Sequence, residues 1–249
     1  MGVPDMAGKL YGIGLGPGDS ELITLKALRI LRAAPVVAYP APDTGESFAR
    51  QIAAPFLSDE QKEIPIIVPM RVERFPAQKI YDQAAHAISE HLKHDRDVVV
   101  LCEGDPFFYG SFMYLYERLA DEFDCEIVPG VSSMMAGAAV LGRPLAARND
   151  VLTVIPAPLP DEDIKAQIEK SDAIAIIKVG RHFERVAKLI NDMGLTDQAG
   201  YLERISLPEQ KVYPLADMPA KKAPYFSLIL IYKGAEDWVE TLPLPNPQV

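Results

Sequence analysis

Long apolar runs, cysteine and positive charge are what this 249-residue sequence has little of. No stretch of 18 or more apolar residues occurs, so no membrane-spanning helix is expected. The first nine residues hold no basic start followed by an apolar core, which argues against a secretory signal. Met6 stands where a myristoylation motif needs Ser or Thr. Only two cysteines are present, and Cys102 closes the apolar run Val98–Cys102, where a thiol behaves as a small hydrophobe. A disulfide is not expected, and the cytoplasm is the expected setting. Lys and Arg total 25 against 35 Asp and Glu, a net charge of −10. That balance opposes broad contact with nucleic acid or an anionic membrane, since both need a dense cationic face. It leaves room for a small anionic substrate held by a local group of arginines. No repeat or low-complexity segment is found.

What is present is alternation. Leu10–Gly14, Val36–Tyr39, Ile64–Val68, Val98–Cys102 and Glu126–Val128 read as strands, with helices at Leu25–Leu31, Ser47–Ala54, Ala77–Leu92 and Phe112–Asp121. Apolar positions 25, 28 and 31 mark the buried face expected of the first helix. The later half repeats the pattern with strands at Val151–Ile155, Ala173–Ile177, Tyr201–Leu202 and Phe226–Tyr232 and helices at Ile164–Glu169 and Phe183–Met193. Strands alternating with helices predict crossover connections and a mostly parallel sheet. The fold class is α/β with two domains, the joint falling between Val131 and Asp150.

Three turns, each just after an expected strand, carry the chemistry. Ligands of open α/β sheets collect at the carboxyl ends of strands. The first turn is Gly14-Leu-Gly-Pro-Gly18. It is no P-loop, because no Gly-Lys-Ser/Thr follows, and its glycine spacing and Pro17 do not suit a dinucleotide pyrophosphate. The second, Glu103-Gly-Asp-Pro-Phe-Phe-Tyr-Gly110, offers Gly104 for close approach and two carboxylates, Glu103 and Asp105, to accept bonds from a ribose hydroxyl or an ammonium. Its aromatics suit either an adenine wall or the core. The third is Pro129-Gly-Val-Ser-Ser133, where Ser132 is either a helix cap or a ligand contact.

Together and in this order, Gly14–Gly18, Gly104–Pro106 and Pro129–Ser133 resemble the tetrapyrrole methylase family. Tyr201–Arg204 and Ser227–Tyr232 resemble strands of that family's second domain, so the likeness runs from about Lys9 to Gly234. It implies an N-terminal domain over residues 1–130 with a mostly parallel five-stranded sheet and a C-terminal domain over 131–249 with a mixed sheet. It further implies S-adenosyl-L-methionine as methyl donor in the cleft between them, S-adenosylhomocysteine as product, a small tetrapyrrole substrate and a homodimer. Within the family, Val37–Ala41, Pro69–Arg71 and Pro224–Leu230 are similar to members that methylate a bridging carbon of an early corrin precursor. Carried over by motif, the donor-binding residues are Pro17, Glu103, Gly104, Asp105, Phe108, Ser132 and Ser133, with Val179, Gly200 and Ser227 from the second domain. Val179 replaces a methionine common in relatives, and Glu103 replaces a glycine.

The implied chemistry is transfer of a methyl from a sulfonium to an electron-rich carbon. It needs orientation, and neither a metal nor a covalent nucleophile. Asp105 and Glu103 are the candidates for a base. Arg71, Arg74, Arg143, Arg148 and Arg204 are the candidates for holding substrate carboxylates, because arginine forks match carboxylates best. His86, His91 and His94 share one expected helix. His91 and His94 have metal-ligand spacing, but their place at a helix C-terminus, where the dipole suits them, is the reading taken. The rival class is a nucleotide-binding or scaffold protein that uses the glycine turns without catalysis.

Overall fold

The computed structural model describes residues 7–68, 75–219 and 222–234. The chain divides into two compact units, one ending at Ser132 and the other beginning at Ser133.

The first unit runs β1 (Leu10–Gly14), α1 (Leu25–Ala33), β2 (Val36–Ala41), α2 (Phe48–Ala53), β3 (Lys62–Ile67), α3 (Phe75–Leu92), β4 (Val98–Cys102), α4 (Phe112–Leu119) and β5 (Cys125–Val128). Its sheet has the order β3-β2-β4-β1-β5, and every neighbouring pair is parallel. All five residues of β4 are buried, as its unbroken apolar run demands of a central strand covered on both faces. Alternate side chains sort the core into two layers. Leu10, Val98, Val100 and Cys102 pack with Ile88 and Leu92 of α3 and Phe112, Leu115 and Leu119 of α4. Ile13, Val99 and Leu101 pack with Ala27, Ile30 and Leu31 of α1 and Ala49, Ile52 and Ala53 of α2. The buried face of α1 is therefore 27, 30 and 31. The expected 25, 28, 31 stripe fails at its first position, since Leu25 is 85% exposed. Thr24 caps that helix by accepting from the Ala27 N–H at 3.2 Å, so Leu25 begins the first turn before the helix meets the sheet.

The second unit runs α5 (Ser133–Leu141), β6 (Leu152–Pro156), α6 (Asp161–Lys170), β7 (Ala173–Ile177), α7 (Phe183–Asp192), β8 (Ala199–Glu203), β9 (Lys211–Pro214) and β10 (Ser227–Tyr232). The sheet order is β6-β7-β10-β8-β9, with β6 and β7 parallel and the remaining pairs antiparallel. One face buries Ile174, Ile176, Tyr201, Ile229 and Ile231 against Ile164, Ile168, Val186 and Ile190 of α6 and α7. On the other face α5 lies close: a methyl on Gly137 would meet the side chains of Ile205, Leu230 and Leu202 within 3.5 Å. The strand β9 was not foreseen from the sequence. It is a four-residue edge strand ending in proline, too short to show a period.

Candidate functional site

In the first unit the turns after β1, β4 and β5 meet. The Leu15 N–H donates to the Cys102 carbonyl at 2.9 Å. Gly16 and Gly104 then exchange two backbone bonds, Gly104 N–H to Gly16 oxygen at 2.8 Å and the reverse at 3.3 Å. Gly14 and Gly130 touch backbone to backbone. A methyl on Gly14 would lie 2.5 Å from the Gly130 Cα and 2.6 Å from the Gly104 carbonyl oxygen, and one on Gly130 would run into that same oxygen. Gly104 itself has φ +65°, a conformation that side chains resist, although a Cβ there would meet Ser132 Cα and Val131 oxygen only in ordinary contact at 3.9 Å.

Asp105 ties the second turn to the third. One carboxylate oxygen accepts from the N–H groups of Phe107 at 2.9 Å and Phe108 at 3.1 Å. The other accepts from the Gly130 N–H at 3.0 Å. A carboxylate has about four lone-pair sites, so three are already engaged. Glu103 behaves differently. It leaves β4 on the side of Leu101, is half-buried, and meets the N–H of Ala49 in the first turn of α2 as well as its own. Burial pushes its carboxyl above the ordinary glutamate value, and the two amides pull it back by less. Next to it the Cys102 thiol is driven well up by burial and by the Glu103 and Asp105 carboxylates, so it stays protonated and inert.

Ser132 resolves one open reading. It is 7% exposed, and its hydroxyl is buried with no hydrogen-bond partner. It therefore does not cap α5. A buried hydroxyl left unpaired costs about 1–3 kcal/mol, an arrangement that favours a group arriving from outside. Pro17 and Phe108 are half-buried at the same loops, and Phe108 stacks edge-on against Tyr109 at 5.0 Å. Ser133 opens α5.

In the second unit the expected residues fall at opposite ends of the sheet. Val179, Arg204 and Ser227 lie at the end where β7 and β8 finish and β10 begins. The Ser227 hydroxyl donates to the Pro224 carbonyl at 2.7 Å and receives the Gly180 N–H at 3.4 Å. Val179 is fully buried in the core, so only its backbone faces that end. Arg204 is exposed and left-handed, φ +50°. Arg143 lies at the other end, in a hollow with Leu141, Gln198 and Tyr232, and burial pulls its guanidinium pKa down. Arg148 is exposed just before β6. Strands of five residues put Arg143 and Arg204 roughly 15 Å apart along the sheet. Gly200 has a packing reason for its size: a Cβ there would lie 2.8 Å from the Leu141 side chain. Arg71 and Arg74 lie outside the described residues. His91 and His94 show no ligand geometry. His94 Nδ1 lies 2.6 Å from the Glu90 carbonyl oxygen, and burial with Arg96, Lys62 and His94 lowers the His91 pKa. Among the described residues no group of three or more His, Cys, Asp or Glu is placed to hold a metal, and no helix is long and apolar enough to cross a membrane.

Sequence reasoning missed two features. Left-handed Lys178, Arg204 and Ser206 gather at one end of the second sheet. A polar network there has the buried Tyr201 hydroxyl donating to Glu203 at 2.6 Å, with the partly exposed Lys211 at 3.6 Å from the same carboxylate. No glycine motif advertises either.

An α/β protein of two units, with glycine turns joined at the strand ends of an all-parallel sheet, is the class that fold and site define. The model of the Tetrapyrrole (Corrin/Porphyrin) Methylases matches residues 9–219, and the chain belongs to that family. It is 40% identical to the cobalamin biosynthesis protein CobIJ of Mycobacterium bovis over 91% of its own length, while spanning 46% of that relative. It is 35% identical to the precorrin-2 C(20)-methyltransferase of a Sinorhizobium species over 90% of this chain and 95% of the relative. The solved uroporphyrin-III C-methyltransferase of Thermus thermophilus, complexed with S-adenosyl homocysteine, shares the fold: TM-score 0.66, 24% identity, 90% of this chain and 97% of that one covered.

Proposed function

We propose that this protein is an S-adenosyl-L-methionine-dependent C-methyltransferase of cobalamin biosynthesis that methylates precorrin-2 at C(20), giving precorrin-3A and S-adenosylhomocysteine. The likeness to the Sinorhizobium enzyme along nearly the full length of both chains supports the substrate. The observation that supports the donor site is the left-handed, unhindered Gly104 beside Ser132, whose buried hydroxyl lacks a partner.

The residues present fit the donor. The backbone at Gly104 allows close approach, Ser132 Oγ is free to donate or accept, and Pro17 and Phe108 supply apolar surface. The bound donor supplies a methyl already activated on positive sulfur. The protein's part is then to hold carbon, methyl and sulfur in line, which contributes on the order of 7–11 kcal/mol at best. Because Asp105 locks the second turn onto the third, the cradle keeps its shape without the donor, and little ordering is left for binding. Substrate carboxylates in a chain of charge −10 need local cations. Arg71, Arg74, Arg143, Arg148 and Arg204 are the candidates. A homodimer and a cytoplasmic setting belong to the same proposal and rest on the family resemblance.

The test is incubation with S-adenosyl-L-methionine and either precorrin-2 or its cobalt complex, reading product mass and methyl position. Gain of one methyl at C(20) of the metal-free substrate is expected. Exclusive turnover of the cobalt complex would move the assignment to the metal-containing route. Methylation of neither, with no binding of S-adenosylhomocysteine in calorimetry, would leave the rival of a non-catalytic nucleotide-binding protein.

A further inference from the structure

The proposed reaction must dispose of a proton. The π electrons of the bridging carbon form the new bond to the methyl, and the sulfur–methyl bond breaks with its pair left on sulfur. The carbon then releases its hydrogen as a proton, the C–H pair restoring the double bond. Two carboxylates, Glu103 and Asp105, flank the cradle glycine Gly104, and the geometry separates their duties.

We infer that Glu103 is the proton acceptor of this methyl transfer and that Asp105 is a clamp holding the cradle in shape. The inference rests on the proposed function and deepens it by naming the base. Asp105 has both oxygens committed to main-chain amides on two turns, Phe107 and Phe108 on its own and Gly130 on the next. Were it to leave these partners for a proton, the contact between second and third turns would be given up. Glu103 holds only two amides, its own and that of Ala49, and neither links one cradle turn to another. It stands just past the carboxyl end of the central strand, next to the left-handed Gly104. Its position is itself stabilised. Ser47 caps α2 by accepting from Arg50 N–H at 3.2 Å and fastens that helix to β2 by donating to the Pro40 carbonyl at 2.5 Å, which fixes the Ala49 amide that Glu103 meets. On β2 and α2 the nearby ionisable groups are already engaged with one another: the Tyr39 hydroxyl donates to Glu63 at 2.6 Å, and the Arg50 guanidinium grips both oxygens of Glu63 at 2.6 and 2.8 Å. Cys102, beside Glu103 on the strand, stays a neutral thiol. Burial, which makes the Glu103 carboxylate a stronger base than an exposed one, moves it toward the range where a general base is effective.

The experiment compares wild type, Glu103→Gln, Glu103→Asp and Asp105→Asn. It measures single-turnover methyl transfer to the tetrapyrrole across pH, and S-adenosylhomocysteine affinity by calorimetry. General-base assistance of this kind is worth about 10²- to 10⁴-fold. Glu103→Gln is expected to lose that much in rate with a far smaller change in its affinity for S-adenosylhomocysteine, and to lose the acidic limb of the pH profile. Glu103→Asp restores part of the rate and moves the limb. Asp105→Asn loses affinity first and keeps the limb. The assignment falls if Glu103→Gln transfers methyl within about tenfold of wild type with the limb unchanged, or if its rate and its affinity fall together. Should Glu103→Gln not fold, an unmoved limb in Glu103→Asp overturns the assignment equally. A wild type that methylates neither tetrapyrrole overturns the functional reading, and this inference with it. An active wild type with an indifferent Glu103 overturns this inference alone.

Discussion

The two units fasten their strand-end loops by different means. In the first, main chain meets main chain: Gly16 and Gly104 bond to each other, and Gly14 touches Gly130. Asp105 adds a side chain to the join, and it too binds amides. In the second, side chains take a larger part: the Ser227 hydroxyl receives the Gly180 N–H from another loop, beside one main-chain bond from Arg204 N–H to the Phe226 carbonyl at 2.9 Å. Tyr201–Glu203, Ser227–Pro224 and Ser206–Gln210 bonds shape the strand and loops locally, while Lys178, Arg204 and Ser206 carry left-handed backbone without being glycine. A loop held by backbone contact leaves no room for Cβ atoms, so it must be written in glycine. A loop held by side chains can be written in many residue types, each of which also has ordinary uses elsewhere.

The contrast is open to direct attack. Its largest expected consequence is Gly130→Ala, where the added methyl collides with a carbonyl that has no rotamer to yield. A loss of about 3 kcal/mol, the upper end for overpacking, is expected in urea denaturation, together with loss of S-adenosylhomocysteine binding. A variant as stable as wild type that binds normally would mean the turns are not locked by contact. Asp105→Ala comes next. It strips a charged acceptor from three amides, and about 2 kcal/mol together with weakened binding is expected. Smaller still, and of opposite sign, is Lys178→Gly. Relief of left-handed strain of about 1–2 kcal/mol, less the entropy that glycine adds to the unfolded chain, leaves a gain of about 0.5 kcal/mol in stability, read as a small rise in the thermal midpoint. A loss there would show that the lysine side chain holds the loop.

The last prediction is one of direction. Folding raises the Glu103 pKa, so the folded state binds this proton more tightly than the unfolded one. Its contribution is fully present below the unfolded glutamate value and fades as pH rises through the raised folded value. Glu103→Gln should therefore gain stability relative to wild type toward neutral and alkaline pH, and the difference should shrink in acid. Parallel stability curves across that range would show that the carboxyl is not desolvated.

The same division explains what the sequence made legible. The five strands of the first sheet could be read because four carry runs of Val, Ile and Leu between turn residues, and the three glycine turns because their spacing has a steric cause. The roles of Glu103 and Asp105 could not, because two steps along the chain, through the left-handed Gly104, send one carboxylate to the α2 amide and the other across to Gly130. Ser132 reads the same as cap or contact until its hydroxyl is seen to lack a partner. Arg143 and Arg204 look equivalent in sequence, and only the antiparallel course of β8 and β10 places them at opposite ends of their sheet.

The position of β1 has a bearing on how the protein is made. Leu10 pairs with Val98 on one side and Cys125 on the other, so the second strand from the edge waits for partners encoded much later. At about 5–20 residues per second, roughly 90 to 115 further residues must be synthesised before those partners exist, an interval of several seconds or more. During that time the strand's apolar residues stand exposed on the ribosome, and a chaperone that shields nascent chains has a defined stretch to protect.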